Sequence, residues 1–384
     1  MAVRPPKISA VDLFCGVGGL SYGLRESGIH IAAGVDLDPA CAYPFSTNLR
    51  APFHQRDICD LEAGELAAMW PDDTRIRVLA GCAPCQPFSS YRRGVDTSQE
   101  RQWPLVDEVR RLIEATMPEI VTMENVPRIG SASIFKGFVT QLRALGYHVD
   151  FKSCHCPAYG VPQHRRRLVL LASLLGEITV PKGTLSSSEY VTVRQAIYDL
   201  PPVAHGQTHP HDRLHKSRAL SEKNFERIQK SKPGGTWEDW PEDLRAPCHR
   251  KESGSTFRNV YARMVWDEPS PTITTMSYNF GTGRFGHPDQ DRALTLREAA
   301  NLQSFPPDYE FVAPSDPVQF SSLGRLIGNA VPPQLARAVG TAIVDHVKIT
   351  NRSTKANSSR RTGRKGTKSA SRSSATDGSI PLST

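Results

Sequence analysis

Short apolar runs alternate with stretches of helical periodicity from the N-terminal end of this chain, and few folds accept such an alternation. ISAVDLF, HIAAGVD, RIRVLAG, EIVTMEN and RRLVLLAS read as strands, rich in aliphatic residues and too short for buried helices. LSYGLRES, stopped by Gly28, and then PLVDEVRRLIEA and IFKGFVTQLRAL carry apolar residues at helical spacing. Strands apolar on both faces need helices on both sides. The pattern therefore predicts an α/β domain over residues 1–180, with a doubly wound, mostly parallel sheet.

After about Gly176 the texture changes. Segments such as LPPVAHGQTHPHDRLH and KPGGTWEDWPEDLRAPCHRK are rich in Pro, His, Gly and Trp and keep no period, which predicts a second, loop-rich domain over 181–290. Helical pattern returns at TLREAANLQSF and VPPQLARAVGTAIVDHV, the latter opening with Pro332 and Pro333 where a helix start tolerates them. Residues 291–348 are thus expected to pack back on the first domain. Beyond Lys348 the Ser, Thr, Lys and Arg-rich sequence cannot bury enough apolar surface, so 349–384 reads as a disordered basic tail.

That tail holds most of the net charge of +8. From Asn351 onward eight Lys and Arg face one acid, Asp377, leaving about +1 for everything before it. Overall basicity is therefore weak evidence for a nucleic-acid surface on the folded body. No apolar run could span a bilayer and the first residues lack a secretory pattern, so a cytoplasmic, nucleoid-associated protein is expected. The eight cysteines lack the density of a secreted scaffold and suit a reducing interior, where thiol chemistry is available.

Two places look chemical. In VDLFCGVGGL, Gly16, Gly18 and Gly19 lie between a strand and a helix, where the backbone can pass close to a ligand at the carboxyl edge of the sheet. A plain strand-turn-helix would use the same glycines. Asp36, ending the next strand, stands where nucleotide-binding sheets carry an acid for ribose hydroxyls, which favours an adenosine-containing cofactor. The spacing G-x-G-G, with Leu20 and Tyr22 crowding a pyrophosphate, disfavours a dinucleotide.

The second place is GCAPCQPFSS, which follows a predicted strand and puts Cys85 at the same sheet edge before a polar, loop-like stretch from Gln86 to Arg101. Cys82 and Cys85 also form C-x-x-C, which a redox pair or half a zinc site would share, although no second pair at metal spacing is available. EIVTMEN brings Glu124 and Asn125 to a strand end, a position equally suited to a turn or helix cap. YGVPQHRRRLVLL places Arg165 and Arg167 alternately on a strand that becomes strongly apolar, a poor place for charge without a purpose unless the three arginines are solvated.

Taken in order, DLFCGVGG, PCQPFS, ENV, QHRRR, LREAANLQSFP and GNAVPP resemble the motifs of the cytosine-5 DNA methyltransferases, from about Val11 to Gly340. The resemblance implies an adenosylmethionine-dependent methyltransferase fold with a smaller target-recognition domain inserted before the last two motifs. It implies that Cys85 attacks C6 of a flipped cytosine, that Glu124 holds N3 and its proton, and that Arg167 binds the base, with Arg165 and Asn125 in the same motifs. For S-adenosyl-L-methionine it implicates Phe14, Gly16, Gly18, Asp36, Asp57, Ile58, Pro84, Leu105 and Asn329, and no metal. The implied partner is double-stranded DNA, with a cognate restriction endonuclease acting separately and the enzyme a monomer. An RNA branch sharing these motifs, which modifies transfer RNA, is the alternative; the long segment between Gly176 and Asp291 favours DNA.

Two departures from the family pattern stand out. Cys82-Ala83 replaces the usual Gly-Phe, Gly-Ser or Gly-Pro, and Leu37 occupies a position where many relatives carry an aromatic residue. Elsewhere, His205, His209, His211 and His215 read as solvated or DNA-facing, and Cys154, His155 and Cys156 as ordinary interior residues. WDEPSPTITT and MSYNFGTGRFGHP resemble the core of the recognition domain.

Overall fold

Seven strands form the central sheet of the computed structural model, which describes residues 7–83, 104–251, 258 and 260–365. They are β1 (Ile8–Leu13), β2 (His30–Asp36), β3 (Phe53–Gln55), β4 (Ile76–Gly81), β5 (Ile120–Asn125), β6 (His148–His155) and β8 (Arg166–Ser173); the two-residue β7 (Gln163–His164) pairs outside the sheet with Ser270–Pro271. The order is β3-β2-β1-β4-β5-β8-β6. Neighbours from β3 to β5 are parallel, and β8 runs antiparallel to both β5 and β6. The expected mostly parallel sheet is present. Every residue of β1 and β5 is buried, which is why these strands read as continuous apolar runs.

Helices α1 (Gly19–Glu26), α2 (Ala42–Leu49), α3 (Ala63–Met69), α4 (Pro104–Thr116) and α5 (Ser133–Ala144) accompany these strands. Because side chains alternate along a strand, β1 feeds two cores: Ala10 packs with Leu24 of α1, while Val11 and Leu13 pack with Leu112 of α4 and Phe138 of α5. The final helix, α10 (Pro333–Lys365), closes the first of these cores with Ala336, Val339 and Ile343. A Cβ on Gly23 would lie 2.4 Å from the carbonyl oxygen of Pro333, so α1 and α10 approach this closely only with glycine there.

Beyond residue 348, α10 continues to Lys365. Its buried stripe ends at Val347.

Between residues 181 and 290 regular structure is sparse: α6 (Val193–Ile197), α7 (Glu222–Lys230), a small pairing of Thr208–His209 with Asp212–Lys216, and short 3-10 turns. Trp237, Trp240, Phe280 and Ile228 form a separate small core. The buried Arg263 guanidinium donates to the carbonyl oxygens of Ile228, Ser231, His287 and Gln290 at 2.7–3.2 Å, tying together loops that have no ladder of their own. The chain then enters α8 (Leu296–Leu302) and α9 (Phe320–Asn329). Among the described residues no helix is long and apolar enough to cross a membrane.

Candidate active site

The carboxyl ends of β1, β2, β4 and β5 open on a cavity of about 840 Å³. Phe14 and Gly16 reach it from the turn after β1, Asp36 from β2, Asp57 and Ile58 from the turn after β3, Leu105 from α4 and Asn329 from α9. Glu124 from β5 and Arg167 from β8 line the same space. Residues separated by more than 300 positions thus share one wall. Pro84 and Cys85 lie outside the described residues.

The turn after β1 is built around Asp36. Its carboxylate accepts from Gly16 N at 2.8 Å and Asp38 N at 2.9 Å, and Arg325 of α9 pairs with Asp38 at 2.5 Å. Burial pushes the Asp36 pKa up, while the two backbone hydrogen bonds oppose it. Phe14 adopts a left-handed φ of 56°, an uncommon conformation for a side-chain-bearing residue and one that clusters at functional turns. Gly18, expected at the cofactor, is not part of the cavity wall. It caps α1 with φ 87°, and a Cβ there would crowd Leu49, Phe45 and the Tyr309 hydroxyl.

Asp12 was missed by sequence reasoning. It is 1% exposed and lines the cavity; Oδ2 accepts from the Ser21 hydroxyl at 2.6 Å, and Oδ1 has no hydrogen-bond partner among the described residues. Burial raises its pKa to about 7. The available signal was the aspartate itself, alone in an apolar strand, where an unpaired acid is unfavourable.

At the other end of the cavity Glu124, 5% exposed, meets Arg167, with Nε 2.8 Å from Oε1. Cys82 Sγ donates to the second carboxylate oxygen, Oε2, at 3.0 Å. Asn125 and Arg165 are not in the cavity wall. Asn125 Nδ2 donates to Ala83 O at 3.1 Å, holding the chain where it leaves β4. Arg165 is fully buried and donates to Ile273 O, Gly328 O and Ala330 O at 3.0–3.3 Å, while Gln163 Nε2 donates to Leu302 O at 2.8 Å and its Oε1 accepts from Ile273 N at 3.0 Å. In the Q-x-R-x-R motif, Gln163 and Arg165 therefore bind the end of α9 and neighbouring loops to the sheet, and Arg167 alone of the three reaches the cavity. Among the described residues no group of three or more His, Cys, Asp or Glu could hold a metal ion.

Solved methyltransferase structures share this fold. A prophage-encoded protein assigned as a DNA modification methyltransferase (E. coli) is similar with a TM-score of 0.68 and 23% identity, over 89% of this chain and 99% of its own. A DNMT2 variant of Spodoptera frugiperda gives a TM-score of 0.59 with 16% identity, over 88% and 99%. The sequence profile described as C-5 cytosine-specific DNA methylase matches residues 8–345. The Type II methylase M.HgiDII of Herpetosiphon aurantiacus is 45% identical over 87% of this chain and 94% of its own length; the Type II methyltransferase M1.HphI of Haemophilus parahaemolyticus is 32% identical over 88% and 87%. The chain belongs to the C-5 cytosine-specific DNA methylase family.

Proposed function

We propose that this protein methylates C5 of a flipped cytosine in a specific duplex sequence, as the modification enzyme of a restriction system whose endonuclease acts separately. The observation that carries the proposal is the meeting in one cavity of the Glu124–Arg167 pair with the acids and apolar residues of the β1, β2 and β3 turns. The donor set fits S-adenosyl-L-methionine. Asp36 suits ribose hydroxyls, Asp57 and Ile58 line the same cavity where they would border the adenine, and the buried Asp12 carboxylate answers a cationic amino-acid end. When bound, this cofactor supplies an electrophilic methyl group on a sulfonium.

The chain's own residues make C5 able to accept it. The Cys85 sulfur adds to C6 and forms an S–C6 bond, and Glu124, steadied by Arg167, holds N3 with its proton, so electron density moves to C5. After C5 has gained the methyl group it gives up its proton, the S–C6 bond breaks, and the ring regains aromaticity. A duplex hides this face of the base, so the cytosine must leave the stack, and residues 181–290 act as the domain that reads the surrounding bases. The enzyme works as a monomer on DNA.

With labelled S-adenosylmethionine, the protein is expected to label duplex DNA and yield 5-methylcytosine on digestion. Label confined to RNA, or on an exocyclic nitrogen, would overturn the proposal. Asp12 adds a pH signature. Because only its ionised form attracts a cation, cofactor affinity measured by calorimetry should weaken roughly eight-fold as pH falls from 7.5 to 6. Asp12→Asn should bind more weakly at pH 7.5 and lose that dependence; an unchanged slope would remove Asp12 from the cofactor site.

A further inference from the structure

Cys82 interrupts the family pattern, and among the described residues it shares the Glu124 carboxylate with Arg167: Arg167 meets Oε1 and Cys82 meets Oε2. The placement follows from strand register. β4 and β5 run parallel with Gly81 opposite Met123, and one further residue along each strand brings Cys82 beside Glu124. The chain there is held on both sides, by Cys82 N donating to Leu13 O at 3.3 Å and by Asn125 Nδ2 donating to Ala83 O at 3.1 Å. Cys82, Glu124 and Arg167 all line the cavity.

We propose that Cys82 is a positioning residue for the methyl-transfer reaction, acting through Glu124; the inference rests on the catalytic reading of Glu124 given above. The terminal torsion of a glutamate is broad, and a single ion pair to Arg167 leaves the carboxylate free to rock about that contact. The thiol closes the second oxygen. With Oε1 ion-paired to Arg167 and Oε2 accepting from the thiol, the carboxylate plane is set. A residue with no donor at this position cannot do this. The C-x-x-C spacing thus has a reading apart from a redox pair or half a zinc site: its first cysteine serves the carboxylate on the neighbouring strand.

A thiol is a weak donor, but its acceptor is a carboxylate, so its loss should lower turnover by about five- to ten-fold. The test uses the full-length enzyme under single-turnover conditions, with duplex target DNA and S-adenosylmethionine both saturating. Cys82→Ala is expected to show that loss in the methyl-transfer rate, with KM for DNA and calorimetric Kd for the cofactor within about two-fold of wild type. Cys82→Ser, which keeps a hydroxyl donor, should restore most of the rate. Wild-type turnover in Cys82→Ala, equal impairment of the two variants, or a loss appearing only in cofactor Kd would overturn the inference; thermal melts identify a variant that has merely unfolded, and Cys82→Ser then carries the comparison through its rate relative to wild type. Glu124→Gln run in parallel separates the two levels. If it retains full turnover, the reading of Glu124 fails; if it collapses while Cys82→Ala is unaffected, only the role of Cys82 fails.

Discussion

Duplex DNA carrying 5-fluorocytosine at the target position is expected to hold this protein in an adduct that survives denaturation and requires S-adenosylmethionine. Addition of Cys85 to C6 and methylation at C5 can both proceed on the fluorinated base. Elimination cannot, because C5 carries fluorine where a proton must leave, and the S–C6 bond therefore persists. Cys85→Ser should abolish the adduct and reduce turnover by at least ~1,000-fold, as removal of an activated nucleophile does in other covalent enzymes. A hydroxyl at neutral pH is not an adequate replacement for a thiolate. Denaturing electrophoresis followed by peptide mapping reads the result: a shifted band mapping to the peptide with Cys85 supports the mechanism. A zinc or redox role for that cysteine yields no adduct, and an enzyme acting on RNA is trapped on fluorinated RNA and not on the duplex.

The largest effect on stability is expected at Arg292. Its guanidinium makes paired 2.7 Å hydrogen bonds to both oxygens of Glu298, with each side chain only 1% exposed, and its Nε donates to Val203 O at 2.8 Å. Glu298 in turn closes the N-terminus of α8, accepting from Thr295 N at 2.8 Å while the Thr295 hydroxyl accepts from Glu298 N at 3.1 Å. Arg292→Ala leaves a buried carboxylate without its countercharge, which costs about 3–5 kcal/mol. The exposed Arg194–Asp267 pair is a useful contrast, since solvent screening should make its loss far less costly. Urea unfolding of the two variants gives the comparison, and equal shifts in midpoint would refute the ranking.

The same cluster sets an acid limit. Burial holds the His287 pKa down at about 4, against the ordinary 6.5. Burial works to raise that of Glu298, but the Arg292 charge and hydrogen bonds win and bring it down to about 2 from 4.5. Both folded-state values lie below the unfolded ones, so the unfolded chain binds more protons and stability falls as pH falls. The His287 contribution should be lost between pH 6.5 and 4, and that of Glu298 between 4.5 and 2. In Arg292→Ala the second loss should disappear, narrowing the gap to wild type below pH 4.5.

Much of this molecule is legible in its amino-acid sequence. The buried strands declared themselves by short aliphatic runs, and the turn after β1 by glycines that a left-handed backbone requires. β6 did not, because HVDFKSCH lies at the sheet edge with mostly exposed or half-exposed side chains and no alternation to read. α9 escaped as well, and with it Arg325, whose link to the turn after β2 is an ion pair to Asp38 at the far end of the chain.

At the site, the sequence by itself determined which residue types were present and at which sheet edge they would emerge, because strand, turn and helix start are decided within a few neighbouring residues. It could not separate residues of one motif. Gly16 faces the cavity and Gly18 the α1 packing; Arg167 meets Glu124, whereas Arg165, two residues earlier, is spent on carbonyl groups at Ile273 and Gly328. Those partners lie 108 and 163 positions away, and Cys82 lies 42 from Glu124. Only tertiary structure decided these roles, because a side chain's function here depends on which distant backbone or charge the fold brings within about 3 Å of it, the reach of a hydrogen bond.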